Sequence, residues 1–211
     1  MEGIKAFQNL QPNNLVEDLI KYIEKEIVLF TSSIEFADIL KKKKNENQHS
    51  LAFCVFMTNR CQSWFCFQRE NSQKASSTVD IGVYFGSNLI FTIEAKLLPT
   101  PMGSKKTPRE EHEYVYGKGA GIQRFKEGKH GLDNQDEYLK ENGMIAYVLQ
   151  NDFQYWFGKI NQWIIDTRWE CSEKLAIDYS DSTVKLISKH KRVDKSEFVL
   201  HHFWVNVSNR S

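Results

Sequence analysis

The sequence lacks an excess of charge of either sign, which excludes a protein that holds nucleic acid by a general basic field. Its 28 Lys and Arg residues nearly balance 27 Asp and Glu residues, and the formal net charge is +1 at pH 7. A chain that attracted nucleic acid over its whole surface would be strongly basic. Any nucleic-acid partner must therefore bind to a local basic patch.

The sequence also lacks long apolar runs. None reaches the roughly 18 consecutive apolar residues that are typical of a membrane-spanning helix. The first residues, MEGIKAFQNLQPNN, contain no apolar segment followed by small residues, as a signal peptide would. We therefore expect a cytoplasmic protein with no membrane partner.

Cysteine is scarce. The chain has four, Cys54, Cys61, Cys66 and Cys171, and no two of them form a C-x-x-C pair. A zinc site needs tighter clustering of cysteine with histidine. Because Cys54 and Cys66 lie in apolar, strand-like runs, we expect buried free thiols, which persist in a reducing cytoplasm.

Apolar residues make up 41% of the 211 residues, which is enough to build the core of one domain. The patterns predict helices over 13–30, 33–44, 122–126, 132–143 and 152–168, the last capped by Asp152. They predict strands over 51–57, 61–70, 144–150, 183–190 and 197–208, a hairpin over 78–96, a polar loop over 44–50 and a long loop over 99–116. This order is typical of an α/β domain with a mixed central sheet flanked by helices on both faces.

Three charged residues interrupt the otherwise apolar hairpin. Side chains alternate between the faces of a strand, so Glu94 and Lys96 share one face, and Asp80 comes beside them from the paired strand. Two adjacent carboxylates in apolar surroundings need a cation, and Mg²⁺ is commonly bound by one or two carboxylates with water and phosphate. A lysine beside them can orient an attacking water or stabilise charge at phosphorus. The alternative is a solvent-facing strand side with an incidental Glu–Lys pair.

The residues Val79-Asp80 and Glu94-Ala95-Lys96 resemble the signature of the PD-(D/E)XK nuclease superfamily, with Val79 at the proline position. The resemblance implies a restriction-endonuclease-like αβββαβ core over about residues 13–150 of a single nuclease-like domain that spans residues 1–211. The helix and strands over 151–207 would be additions. It also implies Mg²⁺ or Mn²⁺ at Asp80, Glu94 and the Ala95 carbonyl, with Lys96 positioning the nucleophilic water.

Members of this family often add a carboxylate from the first helix. Glu26 falls inside the apolar stripe of the predicted first helix when the residues are placed about 100° apart. Glu26 is therefore the first candidate for a further metal ligand, followed by Glu24 and Glu17. The alternative is a frayed helix end at which Glu26 reaches solvent.

Some branches of the family also carry a glutamine on the helix after E-x-K, and Gln123 resembles that element. Glu127 stands where the longer pattern has tyrosine, so only Gln123 is carried over as a catalytic candidate. Glycines before this helix allow close backbone approach, and nearby basic residues suit a nucleic-acid backbone; these are Lys118, Arg124, Lys126 and Lys129. The alternative is a solvated basic helix face.

Four histidines lie either beside the predicted site or on a late predicted strand. His112 and His130 border the predicted site and are candidates for a general base, although the family relies on metal and lysine. We expect His201 and His202, on a late strand, to serve ordinary packing.

Together these features predict a metal-dependent nuclease, specifically an endonuclease acting on DNA, in restriction, phage defence or repair. Because no separate recognition domain is evident, we expect a homodimer or an ATP-driven partner protein. The alternative is a catalytically inactive or partner-dependent nucleic-acid-binding subunit on the same fold. RNA is a third possible substrate, but the sequence lacks the aromatic signature of RNA-binding modules.

Overall fold

A mixed β-sheet of seven strands forms the centre of the computed structural model, which describes residues 14–41, 45–61, 64–101, 110–178 and 185–208. The strands are β1 (Cys66–Ser72), β2 (Thr78–Phe85), β3 (Asn88–Leu98), β4 (Glu141–Val148), β5 (Ala176–Asp178), β6 (Lys185–Lys191) and β7 (Glu197–Asn206). Their order in the sheet is β1-β2-β3-β4-β7-β6-β5. Strands β3, β4 and β7 are parallel, and all other neighbours are antiparallel.

Helices cover both faces of this sheet, which confirms the predicted α/β class. They are α1 (Leu15–Phe30), α2 (Ile34–Leu40), α3 (Glu46–Arg60), α4 (Ile122–Lys126) and α5 (Phe153–Asp166). Helices α1, α2 and α3 share one apolar core with Phe91, Ile93, Ala95 and Leu97 of β3. Helices α4 and α5 share the other with Leu98. The face of β3 that carries Glu94 and Lys96 therefore turns toward α4 and α5.

The predicted strand over 51–57 is wrong, and so is the predicted polar loop over 44–50 as far as the structure describes it, because residues Glu46–Arg60 form helix α3. Asn45 caps this helix: its side chain accepts a hydrogen bond of 2.9 Å from the backbone amide of Gln48. The run LAFCVFM is apolar at nearly every position, so periodicity does not distinguish a buried helix from a buried strand. Ala52, Phe53, Phe56 and Met57 form the buried stripe that packs against the sheet.

The predicted helix over 132–143 is also wrong. The Asp133 carboxylate accepts hydrogen bonds from the amides of Gln135 and Glu137, at 2.8 and 2.9 Å, and holds a turn instead. Aspartate commonly competes with helix formation in this way. Strand β4 then begins at Glu141, and the short edge strand β5 was not predicted.

Most other predicted elements are present with shifted bounds: the strand predicted over 61–70 begins only at Cys66, and the helix predicted over 33–44 ends at Leu40. Helix α5 has Asp152 as its cap, with a hydrogen bond of 2.7 Å from the Tyr155 amide, and helix α4 has its predicted bounds. The predicted segments at 13, 42–44, 62–63, 102–109 and 183–184 lie outside the described residues. In the described part of the chain, no helix is long and apolar enough to cross a membrane.

The cysteines differ in part from the expectation. All four are free, and Cys54 is buried as predicted, although it lies in α3 and not in a strand. Cys66 is exposed, contrary to prediction. It begins the edge strand β1, where Phe67 turns inward and Cys66 consequently turns outward.

Candidate functional site

The site is built where β2 and β3 stop pairing. Their described ladder ends at Ile81 and Ile93. Just beyond it, a side chain replaces the ladder partner: Asp80 Oδ2 accepts a hydrogen bond of 2.7 Å from the Ala95 amide. The structure thus brings Asp80 to the segment Glu94-Ala95-Lys96. It is the amide of Ala95, rather than its carbonyl, that contacts Asp80.

Glu94 and Lys96 form a buried ion pair on β3. Their side chains are 2% and 4% exposed, and Lys96 Nζ lies 2.6 Å from Glu94 Oε1. The alternative of a solvent-facing strand side is therefore wrong for these two residues. Asp80 is partly exposed. Burying an ion pair costs free energy, so a pair kept inside an apolar strand is a candidate for function.

Asp80, Glu94 and Lys96 shift one another's pKa values. Burial, followed by the negative charge of Glu94, raises the pKa of Asp80 to about 8. Burial alone would raise the pKa of Glu94, but Lys96 and, after it, the neighbouring His130 together outweigh burial and hold that pKa well below its ordinary value. Burial would lower the pKa of Lys96, but the carboxylates, Glu94 first, raise it. Lys96 is therefore a permanent cation at neutral pH.

Glu46 is the further carboxylate of this site, and the sequence analysis missed it. It lies in the first turn of α3, where its Oε2 accepts a hydrogen bond of 3.1 Å from the Leu97 amide. Its charge contributes to the raised pKa of both Asp80 and Lys96. The signal was present as Asn45-Glu46, a capping residue followed by an acid in the first helical turn.

The three glutamates proposed from α1 have other surroundings. Glu26 is buried as expected, but it pairs with Arg60 at 2.5 Å. Arg60 ends α3, whereas Glu46 begins it, and a helix of this length spans about 20 Å. Glu17 pairs with Lys21 on the surface, and Glu24 lines a cavity beside Phe153 and Trp204. Glu26 is thus paired with Arg60, at the opposite end of α3 from Glu46.

Helix α4 contributes one basic residue directly. Arg124 Nη1 lies 3.6 Å from Glu94 Oε1, and its side chain remains partly exposed. Gln123 instead forms hydrogen bonds to the backbone before the helix and within the helix. Its Oε1 accepts a hydrogen bond of 3.1 Å from the Gly117 amide, and its Nε2 donates one of 2.6 Å to the Glu127 carboxylate.

The predicted basic cluster is only partly formed. Lys126 turns to the other side, where it pairs with the largely buried carboxylate of Glu173 and lies over the Trp169 ring, 4.5 Å from its centroid. Lys129 pairs with Glu127 at 2.6 Å, and Lys118 is exposed. Lys126 is therefore the wrong choice for a phosphate contact, since its charge is already compensated inside the protein.

Of the four histidines, His130 lies in the site. Its Nδ1 is 3.3 Å from Glu94 Oε2. His112 stacks on Tyr116, with ring centroids 3.9 Å apart, and contacts Glu110 at 3.0 Å. His201 is buried beside Glu141, at 2.8 Å.

His202 belongs to a buried chain of hydrogen bonds between β6, β7 and the loop residue Tyr114. Ser188 Oγ lies 2.8 Å from His202 Nε2 and 2.7 Å from His190 Nε2. His202 Nδ1 contacts Tyr114 Oη at 2.8 Å, and His190 Nδ1 contacts Glu173 at 2.7 Å. The expected packing role of His202 is thus combined with a polar network.

The oxygen donors suit a hard dication. The charges of Glu94 and Glu46 both act on Asp80, and Glu94 Oε2 is buried without a hydrogen-bonding partner among the described residues. In that same part of the chain, no three His, Cys, Asp or Glu side chains already converge as a metal cluster. Mg²⁺ retains several waters and needs only one or two carboxylates, so the donors present fit it.

No protein-family model matches the chain, and no curated protein or solved structure matches it.

Proposed function

We propose that this chain is a metal-dependent nuclease of the PD-(D/E)XK type that hydrolyses phosphodiester bonds of DNA. The observation that carries the proposal is the buried Glu94–Lys96 pair beside Asp80, at the point where two paired strands separate. Helices α1 to α3, three antiparallel strands, the short helix α4 and the parallel strand β4 precede α5 in the chain; this order contains that expected of the nuclease core, with two more helices before the strands.

Each residue has a role that follows from its surroundings. Asp80 and Glu94 would hold Mg²⁺ or Mn²⁺, which when bound polarises the phosphate and activates water. Lys96 remains protonated, so it donates hydrogen bonds to the water or the phosphate oxygens and does not act as a general base. Arg124, partly exposed beside Glu94, is placed to hold the phosphate that flanks the cleaved bond.

The test compares wild type with Asp80→Asn, which keeps the size of the side chain and removes its charge. We expect wild type to cut plasmid or single-stranded DNA with Mg²⁺ or Mn²⁺ and not with chelator. Asp80→Asn should lose about 10²–10³-fold of this activity. The matched control is Asp166→Asn, an exposed aspartate at the end of α5, which should cut like wild type. Cleavage that persists in chelator or in Asp80→Asn contradicts the proposal.

A second prediction distinguishes Glu46 on α3 from Glu26 on α1 as the further carboxylate of the metal site. Glu46→Gln should weaken Mn²⁺ binding about tenfold, because it removes a carboxylate whose charge acts on Asp80 and Lys96. Glu26→Gln is the matched control and should leave Mn²⁺ affinity unchanged, since its partner is Arg60. Isothermal titration calorimetry measures both affinities. The reverse ranking would restore Glu26 as the further carboxylate.

The second candidate function is a partner-dependent or inactive nucleic-acid-binding subunit. The observation that favours it is the number of cations already around Glu94, since Lys96 and Arg124 both lie near Oε1. Such pairing can neutralise the carboxylate without a metal. In this case purified wild type would bind DNA in a gel-shift assay and cleave none of it with Mn²⁺, and the Asp80→Asn variant would bind equally well.

A further inference from the structure

His130 is a buried side chain whose ring nitrogens have no hydrogen-bonding partner among the described residues. Its side chain is 0% exposed, and its ring packs edge-on against Phe125, with centroids 5.5 Å apart. The backbone fixes its place: the His130 amide donates to the Arg124 carbonyl at 3.3 Å, and Gly131 has a φ of +83° beside the Asn142 side chain. The ring is therefore held rigidly against the site.

The atom opposite His130 is equally unsatisfied. Glu94 Oε2 lies 3.3 Å from His130 Nδ1, but the two are not aligned as a hydrogen bond, and Oε2 has no other described partner. Lys96 and Arg124 both approach the other carboxylate oxygen, Oε1. Leaving a buried imidazole and a buried carboxylate oxygen unpaired costs free energy, so the arrangement calls for a ligand between them.

The separation of these two atoms indicates what that ligand is. Two donors that are each about 2.1 Å from one ion lie about 3.0–3.4 Å apart in octahedral to tetrahedral coordination. A buried imidazole nitrogen and a carboxylate oxygen together are a donor pair for a transition-metal dication, whereas Mg²⁺ prefers oxygen donors alone.

We propose that His130 is a ligand, through an imidazole nitrogen, of the dication that Glu94 holds, and that it makes the site prefer Mn²⁺ to Mg²⁺. The inference rests on the proposed function and specifies its metal. Asp80, together with water and phosphate oxygens, would complete the coordination once the ion is bound; within the described residues no third His, Cys, Asp or Glu side chain already converges on this pair.

The decisive experiment is spectroscopic. Wild type loaded with Mn²⁺ is examined by electron spin echo envelope modulation, which detects nitrogen bound directly to the metal. We expect a directly coordinated nitrogen in wild type and its loss in His130→Asn. By calorimetry, His130→Asn should weaken Mn²⁺ binding about tenfold or more and change Mg²⁺ affinity less than about twofold. His112→Asn, a partly exposed histidine that stacks on Tyr116, is the matched control and should behave as wild type.

The outcomes separate this inference from the proposed function. Bound Mn²⁺ without a nitrogen ligand, in a protein that still needs Asp80 to cut DNA, overturns the role of His130 alone. An equal loss of Mn²⁺ and Mg²⁺ affinity in His130→Asn also overturns it, because His130 would then only position Glu94. If wild type binds neither dication, both proposals fail. If His130→Asn does not fold, the wild-type spectrum still decides whether a nitrogen is bound directly to Mn²⁺.

Discussion

Replacing Lys96 with methionine is expected to lower the free energy of unfolding by about 3 kcal/mol and to abolish DNA cleavage. The substitution leaves the Glu94 carboxylate buried without its nearest cation, since Lys96 Nζ lies 2.6 Å from it. The remaining cation, Arg124, is farther away at 3.6 Å and compensates only part of the charge. Urea denaturation, followed by tryptophan fluorescence, measures the loss.

A double variant separates the effect on stability from the effect on catalysis. Glu94→Gln combined with Lys96→Met removes both charges, and neutral replacement of a buried pair is commonly tolerated. We expect the double variant to regain most of the lost stability and to remain inactive. Lys21→Met, which removes an exposed i,i+4 partner of Glu17, is the matched control and should cost at most about 0.5 kcal/mol. A double variant no more stable than Lys96→Met would contradict the buried-pair explanation.

The hairpin that carries the site was predictable because two local signals agree there. Residues 78–85 and 88–98 are apolar over most of their length, and a Gly-containing turn separates them. Only three charges interrupt the pattern, and alternation along β3 fixes two of them on one face. Their burial was not predictable, because it depends on α4 and α5 covering that face from distant positions in the chain.

Glu46 shows where local reasoning failed. Its segment is polar, and the following run LAFCVFM is apolar at nearly every position, so neither reveals the helical period. Only tertiary packing decides that the run is a helix, because α3 must cover the sheet beside α1. The direction of the Lys126 side chain was not predictable for a related reason: its partner, Glu173, is 47 residues away in the chain.

The buried hydrogen-bond chain leads to a second large effect, which depends on pH. With Glu173 ionised, one arrangement of protons satisfies the chain: Tyr114 donates to His202, His202 to Ser188, Ser188 to His190, and His190 to Glu173. Both histidines are neutral in this arrangement, and Trp204 Nε1 donates to Tyr114 Oη at 3.1 Å. Adding a proton to either ring requires the neighbouring hydroxyl, Ser188 for His190 and Tyr114 for His202, to rotate and accept instead of donate, which breaks the single direction of the chain.

We therefore expect stability to fall as the pH decreases below about 6.5, the ordinary pKa of histidine in an unfolded chain. Burial lowers the pKa of His190, with Lys126 adding to the effect and Glu173 opposing it, and burial together with His190 and His201 lowers the pKa of His202 much further. The unfolded state consequently binds more protons than the folded state. In an Asp80→Asn background, which removes the opposing titration of a carboxyl with a folded pKa of about 8, the free energy of unfolding should decrease by up to about 2.7 kcal/mol per pH unit between pH 6 and 5.

Urea denaturation at several pH values tests this expectation. His202→Gln should remove about half of the slope, because one of the two neutral histidines is gone, whatever its effect on absolute stability. His112→Gln is the matched control and should retain the full slope, since His112 lies outside the chain and is partly exposed. A free energy of unfolding that stays constant between pH 7 and 5 in the Asp80→Asn background would show that the histidines are charged in the folded protein. The single-direction chain from Tyr114 to Glu173 would then be wrong.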